Sequence, residues 1–168
     1  MKKIKLTRGY SAEVDNKDYE WLNSFKWHAQ LSLRKDGTVR TVYANRDTHS
    51  ADGARTTQRM HCLIMGAKGI DHRDGNGLNN RRYNLRPATI TQNGGNQKLS
   101  GKNSSGYKGV SWCKRDKKWV AKTQVNGNHV YLGRFTDILD ARNAYDVAAL
   151  KYFGPFALTN TMMENKLY

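Results

Sequence analysis

YKGVSWCKRDKKWVAKTQVNGNHVYLGRF, residues 107–135, contains three runs rich in β-branched and aromatic residues, YKGVSW, KWVAKTQV and HVYLGRF, separated by short turns. Asn126-Gly127, between the second and third runs, is the strongest local hairpin signal in the chain. Both residue types tolerate the positive φ that a two-residue type I′ turn demands. The segment therefore predicts a three-stranded antiparallel sheet. Alternation along the middle run puts Trp119, Ala121, Thr123 and Val125 on one face and Val120, Lys122, Gln124 and Asn126 on the other. Thr136 or Asp137 can then cap a helix. Its apolar positions Ile138, Ala141, Tyr145, Ala148, Ala149 and Tyr152 recur at helical spacing until Gly154-Pro155 stops it. One such helix would cover one face of the sheet.

Upstream lies GGNQKLSGKNSSG, residues 94–106, with the polar, glycine-rich character of a linker. Fully extended, it would reach roughly 40 Å. Nearer the N-terminus the pattern is strand-like. Ile4 and Leu6 alternate with polar residues, and a hairpin is expected to join Trp27–Leu33 to Thr38–Asn45 through Lys35-Asp36-Gly37. Asp15 to Phe25 suits a short helix, 47–55 a loop, and the apolar stretch Met60–Met65 a second helix.

Composition narrows the function. The chain has 168 residues, 38% of them hydrophobic, which suits a folded protein with one or two small cores. Lysine and arginine number 29 against 14 aspartates and glutamates, a formal charge of +15, which favours a polyanionic partner and nucleic acid first. The excess is spread out: 18 basic against 9 acidic residues up to Ser100, and 11 against 5 beyond it. The two cysteines, Cys62 and Cys113, have no C-x-x-C partner, which argues against a disulfide framework and a zinc site. The start MKKIKLTRGY has no apolar stretch of signal-peptide length, and no later run suits a bilayer span. The expectation is a cytoplasmic protein that does not enter membranes.

Residues 70–93, IDHRDGNGLNNRRYNLRPATITQN, are too polar for a core element and too rich in special residues for an ordinary loop. Asp71-His72, the turn Asp74-Gly75-Asn76-Gly77, Leu78-Asn79-Asn80-Arg81, Asn84-Leu85-Arg86, Ala88-Thr89 and Gln92-Asn93 stand in an order that resembles the active-site finger of His-Asn-His (HNH) homing endonucleases, especially those of phages and their introns. Met60–Met65 matches the usual lead-in, with Cys62 where an arginine is common. The resemblance implies two strands and a helix around one divalent ion. His72 would be the general base, Asn84 the residue that ties the loop and orients His72, and Asp71 and Asn93 the metal ligands. Asn93 stands where the last histidine of the motif usually is, so the donors are oxygens suited to magnesium, with manganese as the alternative. His61, among apolar neighbours, reads as a packing residue.

Residues 105–160 resemble the Apetala-type domain of plant ethylene-response transcription factors, a fold that also occurs fused to HNH nucleases. The matching pieces are Tyr107-Lys108-Gly109-Val110, Trp119-Val120-Ala121, Tyr131-Leu132-Gly133-Arg134-Phe135, Ala144-Tyr145-Asp146 with Ala148-Ala149, and Ala157-Leu158-Thr159-Asn160. The resemblance implies that the sheet enters the major groove while the helix supports it. The expected DNA contacts are Lys108, Trp112, Lys114, Lys122, Gln124, Tyr131 and Arg134, with Trp119 in the core. Arg73, Arg81, Arg82 and Arg86 would be basic flanks of the finger. Ser111 and Gln124 replace two arginines of the plant family, so its target sequence does not carry over.

The sequence thus predicts an α+β fold with a β-rich region at 1–59, an HNH finger at 60–97, a linker at 98–105, an Apetala-type domain at 106–160 and a tail at 161–168. The expected function is a magnesium-dependent, site-specific endonuclease on double-stranded DNA, acting as monomer or homodimer in a bacterial cell and encoded by a phage or intron. No other cofactor is expected. The alternative is a non-catalytic DNA-binding regulator that keeps the HNH scaffold.

Overall fold

The computed structural model describes residues 1–34, 36–101 and 103–165. Lys35 of the expected hairpin turn, Lys102 of the expected linker and 166–168 of the expected tail lie outside the described residues. The chain is a mixture of helices and antiparallel sheets, an α+β fold, and divides into two compact units, Met1–Pro87 and Ala88–Tyr168. Residues 98–105 fall inside the second unit.

The first unit begins with β1 (Lys2–Lys5) paired antiparallel with β2 (Ser11–Val14), followed by helix α1 (Asn16–Asn23). A three-stranded antiparallel sheet follows in the order β3 (His28–Leu33), β4 (Val39–His49), β5 (Arg55–Arg59). The expected loop at 47–55 is therefore short. Residues 47–49 extend β4, and a polar turn through Gly53 at φ 82° returns the chain into β5. Helix α2 (Met60–Met65) ends at Gly66, whose φ of 64° supplies the left-handed cap. Ile4, Val14, Leu22, Trp27, Val42, Ala44, Met60 and Ile64 form one core with Ile70 and Leu85. The last two belong to β6 (Ile70–His72) and β7 (Leu85–Pro87), an antiparallel ribbon in which His72 lies opposite Leu85 and Asp71 opposite Arg86.

The loop between β6 and β7 is tied to β2: Glu13 N–H donates to Leu78 O and Asn80 N–H to Glu13 O, each at 2.8 Å. The ribbon closes inside the first unit. The expected third element of the finger, helix α3 (Ile90–Gly95), belongs to the second unit, so a ββα finger wrapped around a metal is not established by this arrangement. Thr89 opens α3 through a capping box. Its hydroxyl accepts from Gln92 N–H, and the Gln92 side chain accepts from Thr89 N–H.

In the second unit β8 (Val110–Cys113), β9 (Lys118–Val125) and β10 (Asn128–Phe135) form the expected antiparallel sheet, with β9 central. Asn126 and Gly127 both have positive φ, 50° and 83°, as the two-residue turn requires. Helix α4 (Ile138–Phe153) is capped by Asp137, which accepts from Leu139 N–H at 2.7 Å, and ends at Gly154. Ala141, Tyr145 and Ala149 of α4 are buried, as are Val110 and Ala121 of the sheet. A short helix α5 (Asn160–Glu164) follows.

Gly109, just before β8, packs directly against Tyr145 of α4. Its φ is +76°, and a Cβ there would lie inside the Tyr145 ring and 2.8 Å from Lys122 O. Gly109→Ala combines overpacking with a left-handed backbone, and is expected to destabilise the second unit by about 2–3 kcal/mol. Urea unfolding followed by circular dichroism tests this; a loss under about 1 kcal/mol would mean that Tyr145 swings aside cheaply.

Candidate nucleic-acid interface

Cross-strand register decides which side chains share a face of the β8–β10 sheet. Tyr131 lies opposite Lys122, Arg134 opposite Val120 and His129 opposite Gln124. These point away from α4, because the alternate positions Ala121 and Thr123 are buried. Lys122, Gln124, His129, Tyr131 and Arg134 are all exposed. Arg134 is braced by Asp116 at 2.9 Å, and the Gln124 amide donates to Gly127 O at 3.0 Å. Lys118 adds a further exposed cation on the same face of β9, two residues before Val120. The face is cationic, with one large aromatic ring near its middle.

Two expected contact residues lie elsewhere. Trp112 is opposite Trp119 in the β8–β9 register, and the two rings meet edge to face at 4.9 Å. Trp112 therefore lies on the side of the sheet that α4 covers further along, not on the outward face. Lys108 turns inward: its ammonium donates to Gly95 O at 2.7 Å and to Leu158 O at 3.2 Å. Burial pushes its pKa down to about 8, against the nearby Asp146 carboxylate, which favours the charged form. Lys114 is exposed in the turn after β8.

The β6–β7 loop of the first unit is held by its asparagines. The Asn84 side chain donates to Asp74 Oδ1 at 2.9 Å and to Asn79 O at 2.8 Å, and accepts from Asp74 N–H at 3.1 Å. Asn79 reaches the other Asp74 oxygen at 2.7 Å. His72 is buried, with Nε2 3.3 Å from Asn80 Oδ1. The Asn80 amide nitrogen donates to Gly77 O and Leu78 O, so its oxygen faces His72 as acceptor and Nε2 carries the proton. His72 packs edge to face on His61 at 4.7 Å, with the Tyr43 ring 5.7 Å from His61 and 5.9 Å from His72. Burial lowers the pKa of His72, opposed by the Asn80 hydrogen bond and by Asp74 and Asp71. His61 goes further, to about 3, through burial first and then the neighbouring His72 and Arg59.

The basic residues assigned as flanks of this loop are largely engaged within the unit. Arg86 binds Asp71 Oδ2 through Nε at 3.0 Å and Nη2 at 2.9 Å, both side chains being largely buried. Arg82 makes a two-pronged pair with Asp18, 2.8 Å on each arm, which holds the Asp18 carboxyl below its ordinary value. Arg81 bonds Asp15 at 3.3 Å, and Arg73 is exposed. Arg86 thus already neutralises Asp71 at Oδ2. Among the described residues no three His, Cys, Asp or Glu side chains converge as a metal site. Asn93 is an exposed residue of α3, in the second unit.

The capping box at Thr89-x-x-Gln92 and the inward turn of Lys108 were missed from sequence. The box was legible as a Ser/Thr-x-x-Glu/Gln pattern; nothing local marked Lys108. Among the described residues no helix is long and apolar enough to cross a membrane.

Residues 105–155 match the AP2 domain family, so an AP2 domain is present in the chain. An AP2-like ethylene-responsive transcription factor of Arabidopsis thaliana is 44% identical over 71 residues, covering 36% of this chain and 17% of the relative. Protein 3.8 of Escherichia phage T7 is 43% identical over 58 residues, covering 34% of this chain and 48% of the relative. The chain thus spans less than half the length of each of these relatives. These findings overturn the endonuclease expected from residues 70–93. The matched family is the AP2 domain and the plant relative is a transcription factor; neither is an HNH enzyme. The burial of His72 and the Asp71–Arg86 pair give that correction a physical footing.

Proposed function

We propose that the protein is a non-catalytic DNA-binding regulator that reads double-stranded DNA with the outward face of its β8–β10 sheet. The observation that carries this reading is the register itself. It sets Lys122 beside Tyr131 and Val120 beside Arg134, with Gln124 and Lys118 on the same side and nothing of α4 in the way. A three-stranded sheet of this width fits a major groove. Lys118, Lys122 and Arg134 supply phosphate contacts or guanine readout, Gln124 suits adenine, and Tyr131 gives apolar contact. Lys114, at the end of the same sheet, adds to the phosphate attraction. Lys108 and Trp112 support the domain from within and at its edge. The likeness to a plant transcription factor favours a regulatory role, and the net charge of +15 favours tight, salt-sensitive association.

The loop tied by Asn84 and the ribbon β6–β7 then serve as scaffold. Lys122→Glu is expected to weaken binding to duplex DNA by at least about tenfold and to reduce the dependence of log K on log salt by about 0.9 for the lost phosphate contact. Fluorescence anisotropy with a mixed-sequence duplex, read across a salt series, measures both. Unchanged affinity and slope would remove the sheet as the DNA-binding face.

A further inference from the structure

Among the described residues β1 pairs with β2 alone, so its other edge is open. Leu6 N–H donates to Tyr10 O at 2.9 Å, which fixes the alternation. Ile4 bonds across to Ala12, and the backbone groups of Lys3 and Lys5 point to the open edge. A cleft of about 620 Å³ lies along that edge, walled by Lys3 and Lys5 on one side and by Phe25, Lys26 and Trp27 on the other. Clefts of roughly 300–1,000 Å³ suit a ligand the size of one or two nucleotides.

The lysines at and beside this cleft differ in their pairing. Lys2 is paired with Glu20 at 2.8 Å, and Lys3 is loosely paired with Glu13 at 3.8 Å. Lys5 and Lys26 are exposed and have no carboxylate partner among the described residues. Strand geometry sets Lys3 and Lys5 about 6.8 Å apart, with their own backbone N–H groups facing the same space. The wall is aromatic. Phe25 is 36% exposed and meets Trp27 edge to face at 6.3 Å, and the Arg46 guanidinium lies 3.7 Å from the Phe25 ring centroid. A half-exposed ring, backed by a guanidinium and set beside two lysines, makes a stacking platform next to a phosphate track.

We propose that this cleft binds an unpaired nucleic-acid strand. Lys3, Lys5 and Lys26 take its phosphates, the open edge of β1 offers amide donors, and a base stacks on Phe25, whose ring Arg46 backs from behind. This is a second nucleic-acid site, in the first unit, and it does not rest on the reading of the sheet. Charge favours a polyanion over a peptide, because lysines along an open edge discourage strand addition. The half-exposed Phe25 ring favours a single strand over a duplex, since a base must leave its stack to lie against the ring.

The test uses the full chain and a short fluorescein-labelled oligothymidylate, titrated by anisotropy across a salt series. Lys5→Glu with Lys26→Glu is expected to weaken its binding at least about tenfold and to lower the salt slope by about 1.4, for two lost phosphate contacts on a single strand. Both residues are exposed, so thermal unfolding should be unchanged. Phe25→Leu is expected to weaken binding about fivefold with the slope unaltered, as loss of stacking requires. Lys122→Glu should leave oligothymidylate binding within about twofold. Oligothymidylate affinity unmoved by the double lysine variant would overturn the proposal, as would a loss in Lys122→Glu that matches it.

Discussion

Asp146→Ala is expected to destabilise the second unit by on the order of 4 kcal/mol, the largest effect of any single side chain in the AP2 domain. Asp146 sits on the inner face of α4, only 8% exposed, and each of its oxygens serves two donors. Oδ1 accepts from Asn160 N–H at 2.8 Å and from the Asn160 side-chain amide at 2.9 Å. Oδ2 accepts from Thr161 N–H and from the Thr161 hydroxyl, both at 2.9 Å. Asn160 in turn accepts from Lys108 N–H at 2.7 Å and donates to Lys108 O at 3.2 Å. One carboxylate thus joins the helix, the start of α5 and the strand of chain that leads into β8.

Alanine leaves the Asn160 N–H buried without its acceptor, takes one of two acceptors from the Asn160 amide, and removes the negative charge that favours a charged Lys108 in its carbonyl cradle. Urea unfolding followed by circular dichroism measures the loss, and hydrogen exchange localises it to the Asn160 and Thr161 amides. Asp146→Asn, which can keep one acceptor, should fall between the two. A loss under about 1 kcal/mol for the alanine variant would show that water replaces the carboxylate and that the network holds nothing together.

This network shows where sequence reading ends. The sheet and α4 were legible because their information is local. Asn126-Gly127 specifies a turn, Ala121 and Thr123 alternate with Lys122 and Gln124, and Gly154-Pro155 stops a helix. Lys108 was not legible. Its lysine, between Tyr107 and Gly109, looks like any exposed cation, and only contacts with Gly95 and Leu158, 13 and 50 residues away, turn it inward. Trp112 failed for a related reason: which face it takes is set by pairing with Trp119, and register is a property of two strands.

The segment from Ile70 to Asn93 misled differently. The order of its residues was read as an HNH finger, and what remains of that reading is the tied loop, which Asn84 holds. The partners that set its chemistry lie far off in sequence. Arg81 and Arg82, expected on DNA, pair with Asp15 and Asp18 at separations of 66 and 64 residues, and Arg86 pairs with Asp71 across the ribbon. Motif order carries the shape of a loop; long-range ion pairs decide whether its charges face inward or outward.

Acid should unfold the first unit earlier than its carboxylates alone would dictate, and His61 is the main reason. Its ring is 2% exposed, and Nδ1 is buried without a hydrogen-bond partner among the described residues. Burial, His72 and Arg59 bring its pKa from an ordinary 6.5 to about 3. Between those two values the unfolded chain holds a proton that the folded one refuses, so stability rises with pH through this window. The contribution is fully present above about pH 6.5 and is lost as pH falls toward 3, at up to about 1.4 kcal/mol per pH unit and about 5 kcal/mol in all.

His72, whose pKa is also lowered chiefly by burial, acts in the same direction; Asp74 and Asp71 moderate it, and the Tyr43 ring packed on both histidines offers no charge. His61→Gln, similar in size and unable to titrate, is expected to flatten the stability profile between pH 6 and 4 by about one proton. Urea unfolding at half-unit pH steps reads the slope directly, and imidazole proton shifts should show a neutral ring at pH 5. An unchanged slope in the variant would place the acid sensitivity elsewhere. The physical point is that two neutral imidazoles, 4.7 Å apart, are compatible with a packed scaffold only while neither is charged.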